Sequence, residues 1–162
     1  MRHHNDELIL HHFVPREFGP NRHGRVIDWW PMMDPAVLVR LDIWRRMWGR
    51  PFEISGHAQA LGRHTGNSTS DHNVDMRGKV QCVDGFPTGL VTRRDAIRAR
   101  ELADQVGFSS IGLYPHWSRP GLHLGVRFGA GGNVPVATWG AINVRGVQQF
   151  VSWERALQEL PE

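Results

Sequence analysis

Apolar positions along this chain follow two rhythms, and the switches between them mark its elements. Val37, Leu38, Leu41, Trp44 and Trp48 recur at helical spacing. Asp34-Pro35 precedes them as an N-cap with proline at the first helical position, and Gly49 closes the segment. A second helix is predicted from about Thr92 to Val106, with Thr92 and Asp95 as a capping pair, Ala99, Leu102, Ala103 and Val106 as its apolar stripe, and Gly107 as its stop. A last helix is predicted from about Val147 to Leu160. Elsewhere the period is two. PFEIS reads as a short strand, and KVQCVDGF as a strand with Val80, Cys82 and Asp84 on one face and Gln81 and Val83 on the other. SSIGLYP and GLHLGVRF read as adjacent strands joined by the turn HWSRPG, and a glycine-rich loop, GAGGN, precedes a short strand around VATWGAI. The opening HHFVPREF reads as an edge strand or loop that docks Phe13 and Phe18. The stretch GHAQALGRHTGNSTSDHN has no period and is expected to be a long functional loop rimming a cleft, without apolar anchors of its own. Together these elements predict an α+β fold over residues 1–162, one domain, with a small, mainly antiparallel sheet and helices packed on one side.

Composition narrows the class. The chain has 162 residues, 40% hydrophobic and 22% charged, which suits one soluble globular domain with its own core. No stretch approaches the ~20 apolar residues of a membrane span, so no membrane partner is expected. The opening MRHHNDELILHHF does not read as a secretory leader, which places the start of the chain in the cytoplasm. The net charge is +3 and nearly all of the positive charge is arginine, Lys79 being the one lysine. These arginines are scattered, with no basic run or aromatic-basic repeat, so nucleic acid is not an expected partner. A monomer is expected.

Charge and cysteine count then bear on chemistry. The single cysteine, Cys82, forbids an intrachain disulfide and excludes a zinc site built from thiolates, so any metal is expected on His, Asp or Glu. Cys82 itself reads as a small core residue. Of the ten histidines, His72 closes the long loop and His123 sits between Leu122 and Leu124 in a strand, while Asp84 ends another strand. Two imidazoles and a carboxylate with a fourth position open is the pattern of catalytic zinc. Spacing alone leaves a second reading of each: His123 as a hydrogen-bonded core histidine, and Asp84 as a turn former before Gly-Phe-Pro.

The segments SDHNVDMRGKVQCVDGFP and IGLYPHWSRPGLHLGVR resemble the metal-binding segments of the D-alanyl-D-alanine carboxypeptidase family of zinc peptidases, which includes phage endolysins and, by fold, the hedgehog signalling domain. Ser70-Asp71-His72 matches its Ser-x-His motif, Cys82-Val83-Asp84 its small-x-Asp strand, and Tyr114 with His123 its tyrosine strand and late histidine. PREF, WRRMWGRPFEISG and ATWG resemble phage-encoded members, so the likeness runs from about Val14 to Gly140. It implies a hedgehog-like domain that binds Zn2+ through His72, Asp84 and His123 and hydrolyses peptidoglycan stem peptides. An endolysin of this kind stays in the host cytoplasm until lysis, or travels with the virion, and acts in the periplasm or wall.

Two departures from the family pattern stand out. His72 and Asp84 lie further apart than in the compact motif, the residues between them being expected to form a turn, and this makes Asp75 a competitor for the metal. The acid that many members carry two residues after the last histidine, or a few residues before it, is replaced by Gly125, with Pro120 and Gly121 upstream. His116 is then the candidate general base, since a free imidazole titrates near neutral pH. At the family's carboxylate-binding arginine the chain has His57 and Ala58, which leaves Arg63 and Arg127 as candidates for substrate binding, with Ser70 beside the first ligand. Trp117 and Trp139 are both candidates to line the cleft, with core packing the preferred reading for Trp139. The alternative is a non-catalytic zinc-binding member of the fold, acting as a wall-binding or virion structural protein.

Overall fold

In the computed structural model, which describes residues 4–127 and 135–162, helix α1 (Pro35–Trp48) starts where the Asp34 carboxylate accepts the Ala36 N–H at 2.9 Å and ends at Gly49, whose φ of 78° suits glycine. Strand β1 (Phe52–Ile54) follows. A single turn of helix, α2 (Val74–Arg77), is capped by Asn73 and stopped by Gly78 at φ 72°, so the expected turn between His72 and Asp84 is helical. Strand β2 (Cys82–Pro87) leads to α3 (Arg93–Val106), which opens with the expected Thr92–Asp95 capping box. Ala96, Ala99 and Ala103 are its buried residues, with Leu102 and Val106 half-buried beside them.

Strands β3 (Ser110–Tyr114) and β4 (Gly121–Gly125) are antiparallel neighbours, as expected. Strand β5 (Ala137–Val144) turns at Arg145 (φ 53°) and Gly146 (φ 84°) into β6 (Val147–Val151), and a short helix α4 (Trp153–Leu157) ends the fold. The long helix expected over Val147 to Leu160 is therefore a strand followed by a short helix. Two consecutive positive φ values make the two-residue hairpin turn whose twist matches the flanking strands. Ser152 then caps α4 by accepting the Arg155 N–H. HHFVPREF forms no strand; Pro15–Phe18 is a 3-10 turn that buries Phe18, while Phe13 is buried just before it. The expected loop GAGGN lies outside the described residues.

The six strands form one sheet in the order β1-β2-β4-β3-β5-β6, antiparallel except for β3 against β5. The fold is thus α+β with a mostly antiparallel open sheet and, among the described residues, four helices. Val83, Ile111, Leu113, Leu122 and Leu124 point to one face and are fully buried. On that face α3 packs on β3, α4 packs on β3 and β5, and α1 packs on α3. Trp44 of α1 stacks on Trp48 at 5.5 Å and meets Phe52 of β1 edge-on at 5.6 Å. The opposite face carries the polar residues that follow. No helix among the described residues is long and apolar enough to cross a membrane.

Candidate metal centre

Period-two alternation decides what the open face holds. In β4 it carries Gly121, His123 and Gly125, and the register sets Asp84 of β2 and Gly112 of β3 on either side of His123. A Cβ at Gly112 would lie 2.7 Å from the Trp139 ring, so glycine there admits that indole, which lies 5.0 Å from the His123 ring. Trp139 lines the cleft and is half-buried, contrary to the expectation that it packs in the core.

The loop from Gly56 to Asn73 delivers His72 from above the sheet. Arg63 pairs with Asn73 in a parallel bridge, its N–H donating to the His72 carbonyl at 2.8 Å and its carbonyl accepting the Val74 N–H at 3.0 Å. Ala60 accepts the Asp84 N–H at 3.0 Å, which ties the loop to β2. The loop does have an apolar anchor, because Leu61 is fully buried. The Leu61 carbonyl accepts a hydrogen bond from His72 Nδ1. A carbonyl can only accept, so Nδ1 carries a proton and Nε2 is the nitrogen left to bind an ion.

That nitrogen meets two other atoms able to ligate a metal. His72 Nε2 is 3.2 Å from His123 Nδ1 and 3.3 Å from Asp84 Oδ1, and His123 Nδ1 is 2.8 Å from Asp84 Oδ1. Zinc ligands about 2.1 Å from the ion in a tetrahedral centre stand roughly 3.4 Å apart. The three expected ligands therefore converge at spacings close to those a small divalent cation requires. Asp75 is elsewhere, bonded to His64 Nδ1 at 2.8 Å and to the Gly66 N–H at 2.9 Å.

A second carboxylate supports the first. Asp71 is buried, accepts from Arg127 Nε at 2.9 Å and from Ser110 Oγ, and lies 3.3 Å from Arg77 Nη2. Its Oδ2 is 3.4 Å from His123 Nε2, so the ring is held between two carboxylates, with Nδ1 turned to the ligand cluster. Burial alone would raise the Asp71 carboxyl; hydrogen bonds from His123, Arg127 and Ser110 outweigh it and hold the group well below the usual carboxylate range. Asp84 is held low in the same way by His72 and His123. Burial pulls His123 down, but Asp71 and Asp84 push it up to about 8, and His72 is pushed up as well.

Cys82 stands beside the two imidazoles. Its thiol, expected as plain core, forms with His72 and His123 a fully buried cluster whose ligand atoms lie within 4.8 Å of one another. The expectation that any metal is left to His, Asp and Glu is corrected here: one thiol stands within metal-binding distance of both imidazoles. Cys82 faces Gly125 across the β2–β4 pair, and a Cβ at Gly125 would lie 2.9 Å from Cys82 Cβ and 3.2 Å from His123 Nε2.

His72, Asp84 and His123 form the floor of a cleft of about 770 Å³, with Cys82 buried behind them. Arg63, Ser70 and Arg127, the three candidates for substrate binding, all line it. Tyr114, Trp117 and Phe86 make an aromatic wall, with Tyr114 stacked on Trp117 at 4.0 Å. The Tyr114 oxygen accepts the Trp139 indole N–H at 3.1 Å, and burial pushes its phenol upward, so it keeps its proton. His116 is not brought to the cleft. Its Nδ1 accepts the Asn143 N–H at 2.9 Å and its Nε2 is 3.1 Å from a Glu159 carboxylate oxygen, so both ring nitrogens are committed on the far side of the turn. The carboxylates lining the cleft are Asp71 and Asp84, and both are engaged within the cluster. Motif reading passed over Ser110, held Asp71 only as a reserve for the general base after His116, and placed Cys82 in the core. The signal for Ser110 was parity, since it lies two positions before Gly112 on the His123 face. Comparison with protein-family models, curated proteins and solved structures finds no match to this chain.

Proposed function

We propose that this chain is a zinc peptidase of the D-alanyl-D-alanine carboxypeptidase type, with a hedgehog-like fold, that hydrolyses peptidoglycan stem peptides. One observation carries the reading: His72 Nε2, His123 Nδ1 and Asp84 Oδ1 meet at the floor of an open cleft at 2.8–3.3 Å from one another, each imidazole oriented by a partner on its other nitrogen. These three hold the ion. When bound, Zn2+ supplies Lewis-acid polarisation of the scissile carbonyl and acidifies water. The chain's own residues do the rest. Arg127 spends Nε on Asp71, its Nη donors have no hydrogen-bond partner among the described residues and are offered to a substrate carboxylate, and Arg63 offers a second guanidinium from the loop. Tyr114, whose oxygen already accepts from Trp139, directs its own proton into the cleft as a donor to the carbonyl oxygen that gains charge. The sequence likeness supports cell-wall peptide as the substrate.

The purified protein should bind about one zinc per chain and release peptides from purified peptidoglycan, read by mass spectrometry. His123→Ala should abolish both. Full zinc occupancy in that variant sinks the ligand assignment. A second reading, a zinc-binding protein that holds cell wall or serves in a virion without cutting, is favoured by the commitment of His116, Asp71 and Asp84 to other partners, which leaves the cleft without a free carboxylate base. Zinc without peptide release selects it.

A further inference from the structure

We infer that Cys82 is a ligand of the same ion, so that the centre joins two imidazoles, a carboxylate and a thiolate and selects a thiophilic divalent cation. The inference rests on the metal reading above but reaches beyond the ligand set that the motifs imply. Cys82 belongs to the same strand face as Asp84, two residues away, and its Sγ lies within 4.8 Å of nitrogen atoms of both histidines. His72, Asp84 and His123 line the cleft, whereas Cys82 is fully buried and does not, so the thiol approaches the cluster from the sheet side. The strand register explains why there is room. The residue paired with Cys82 is Gly125, and any side chain there would press on Cys82 Cβ and on the His123 ring. The position that could carry an acid is thus empty, and the thiol sits opposite it.

Charge favours the same arrangement. A divalent ion on His72, Asp84 and His123 alone leaves one uncompensated positive charge in a buried site. A thiolate from Cys82 balances it, while Asp71 is already neutralised by Arg127 and Arg77. Sulfur among the donors excludes Mg2+ and Ca2+ and favours Zn2+, Co2+ and Cd2+. Four protein donors fill a tetrahedral site, so peptide hydrolysis at this centre requires the ion to take a fifth ligand from the cleft.

Cobalt(II) tests this without reference to turnover. Co2+-loaded wild type should show weak visible d–d bands together with an intense near-ultraviolet thiolate-to-metal charge-transfer band, and X-ray absorption of the zinc form should show one sulfur at about 2.3 Å. In Cys82→Ala the charge-transfer band should vanish while the visible bands persist, with metal affinity lower by at least about tenfold. Visible bands without the charge-transfer band in wild type would overturn the thiolate ligand and leave the His72, Asp84 and His123 centre standing. No cobalt uptake by folded wild type would overturn both. Cys82→Ser, similar in size, serves if the alanine variant does not fold, and it should lose the band equally.

Discussion

Asp71→Asn tests whether the buried carboxylate behind His123 is part of the metal centre or merely a packing group. Asparagine keeps the shape but only one of the two acceptor oxygens. It removes the negative charge that lies 3.4 Å from His123 Nε2, 2.9 Å from Arg127 Nε and 3.3 Å from Arg77 Nη2. A carboxylate on the outer nitrogen of a ligating imidazole fixes its orientation and raises its basicity, and losing one typically costs 10–100-fold in metal affinity, or about 1.4–2.7 kcal/mol. Folding stability should fall as well. Charge-assisted hydrogen bonds to a buried carboxylate contribute about 1.5–3 kcal/mol, and the one-third exposure of Arg127 argues for the lower end. At roughly 2–4 °C per kcal/mol for a domain of this size, the melting temperature should drop by several degrees. Chelator-competition titration at 25 °C, where the variant remains folded, separates the two effects. A zinc Kd within about twofold of wild type, alongside a lowered melting temperature, would show that Asp71 only packs and would refute its role behind His123.

His116→Ala should leave zinc binding and any peptide release unchanged and cost about 1 kcal/mol of stability through the lost contacts to Asn143 and Glu159; a fall in turnover with zinc still bound would restore it as the base. Gly125→Asp, which the family pattern suggests as a rescue, should instead destabilise by about 1–3 kcal/mol, because its Cβ would stand 2.9 Å from Cys82 Cβ; chemical denaturation checks this, and wild-type stability would show that β4 yields. The metal-free protein should be more stable near pH 6 than near pH 9 through His123, whose pKa is raised from 6.5 to about 8: the stabilisation is complete below 6.5 and lost as pH rises through 8. Zinc must displace the same protons, so its affinity should rise with pH and calorimetric titration at pH 7 should show proton release as a dependence on buffer ionisation enthalpy, whereas identical heats in phosphate and Tris would contradict it.

Local chemistry made much of the fold readable. Asp34-Pro35 with Gly49, and Thr92 and Asp95 with Gly107, are caps whose hydrogen bonds lie within four residues, so α1 and α3 fall where their punctuation puts them. The C-terminal segment misleads for an equally physical reason. Val147, Phe150, Val151, Ala156, Leu157 and Leu160 recur at helical intervals, yet Arg145 and Gly146 take positive φ and commit the next five residues to a hairpin. A non-glycine residue at φ 53° carries no composition signal, and β6 is largely exposed, so alternation of burial never marks it.

The site divides along the same line between local and cross-strand information. His72, Asp84 and His123 are visible because each sits in a short segment of recognisable order, and the sheet need only bring the segments together. Asp71 and Cys82 are not visible in that way, since what they do depends on which residue faces them from another strand or loop. Asp71 means little until Ser110, Arg127 and the outer nitrogen of His123 surround it. Gly125 reads along the chain as a lost acid and nothing more. Across the β2–β4 pair it is the vacancy opposite Cys82, next to the Asp84–His123 pair in the same register. The two positions therefore form one feature, a glycine that leaves room where a thiol stands. The properties of the proposed centre should follow the pair: adding a side chain at position 125 while Cys82 remains should meet steric resistance, and removing the sulfur while Gly125 remains should weaken cobalt binding.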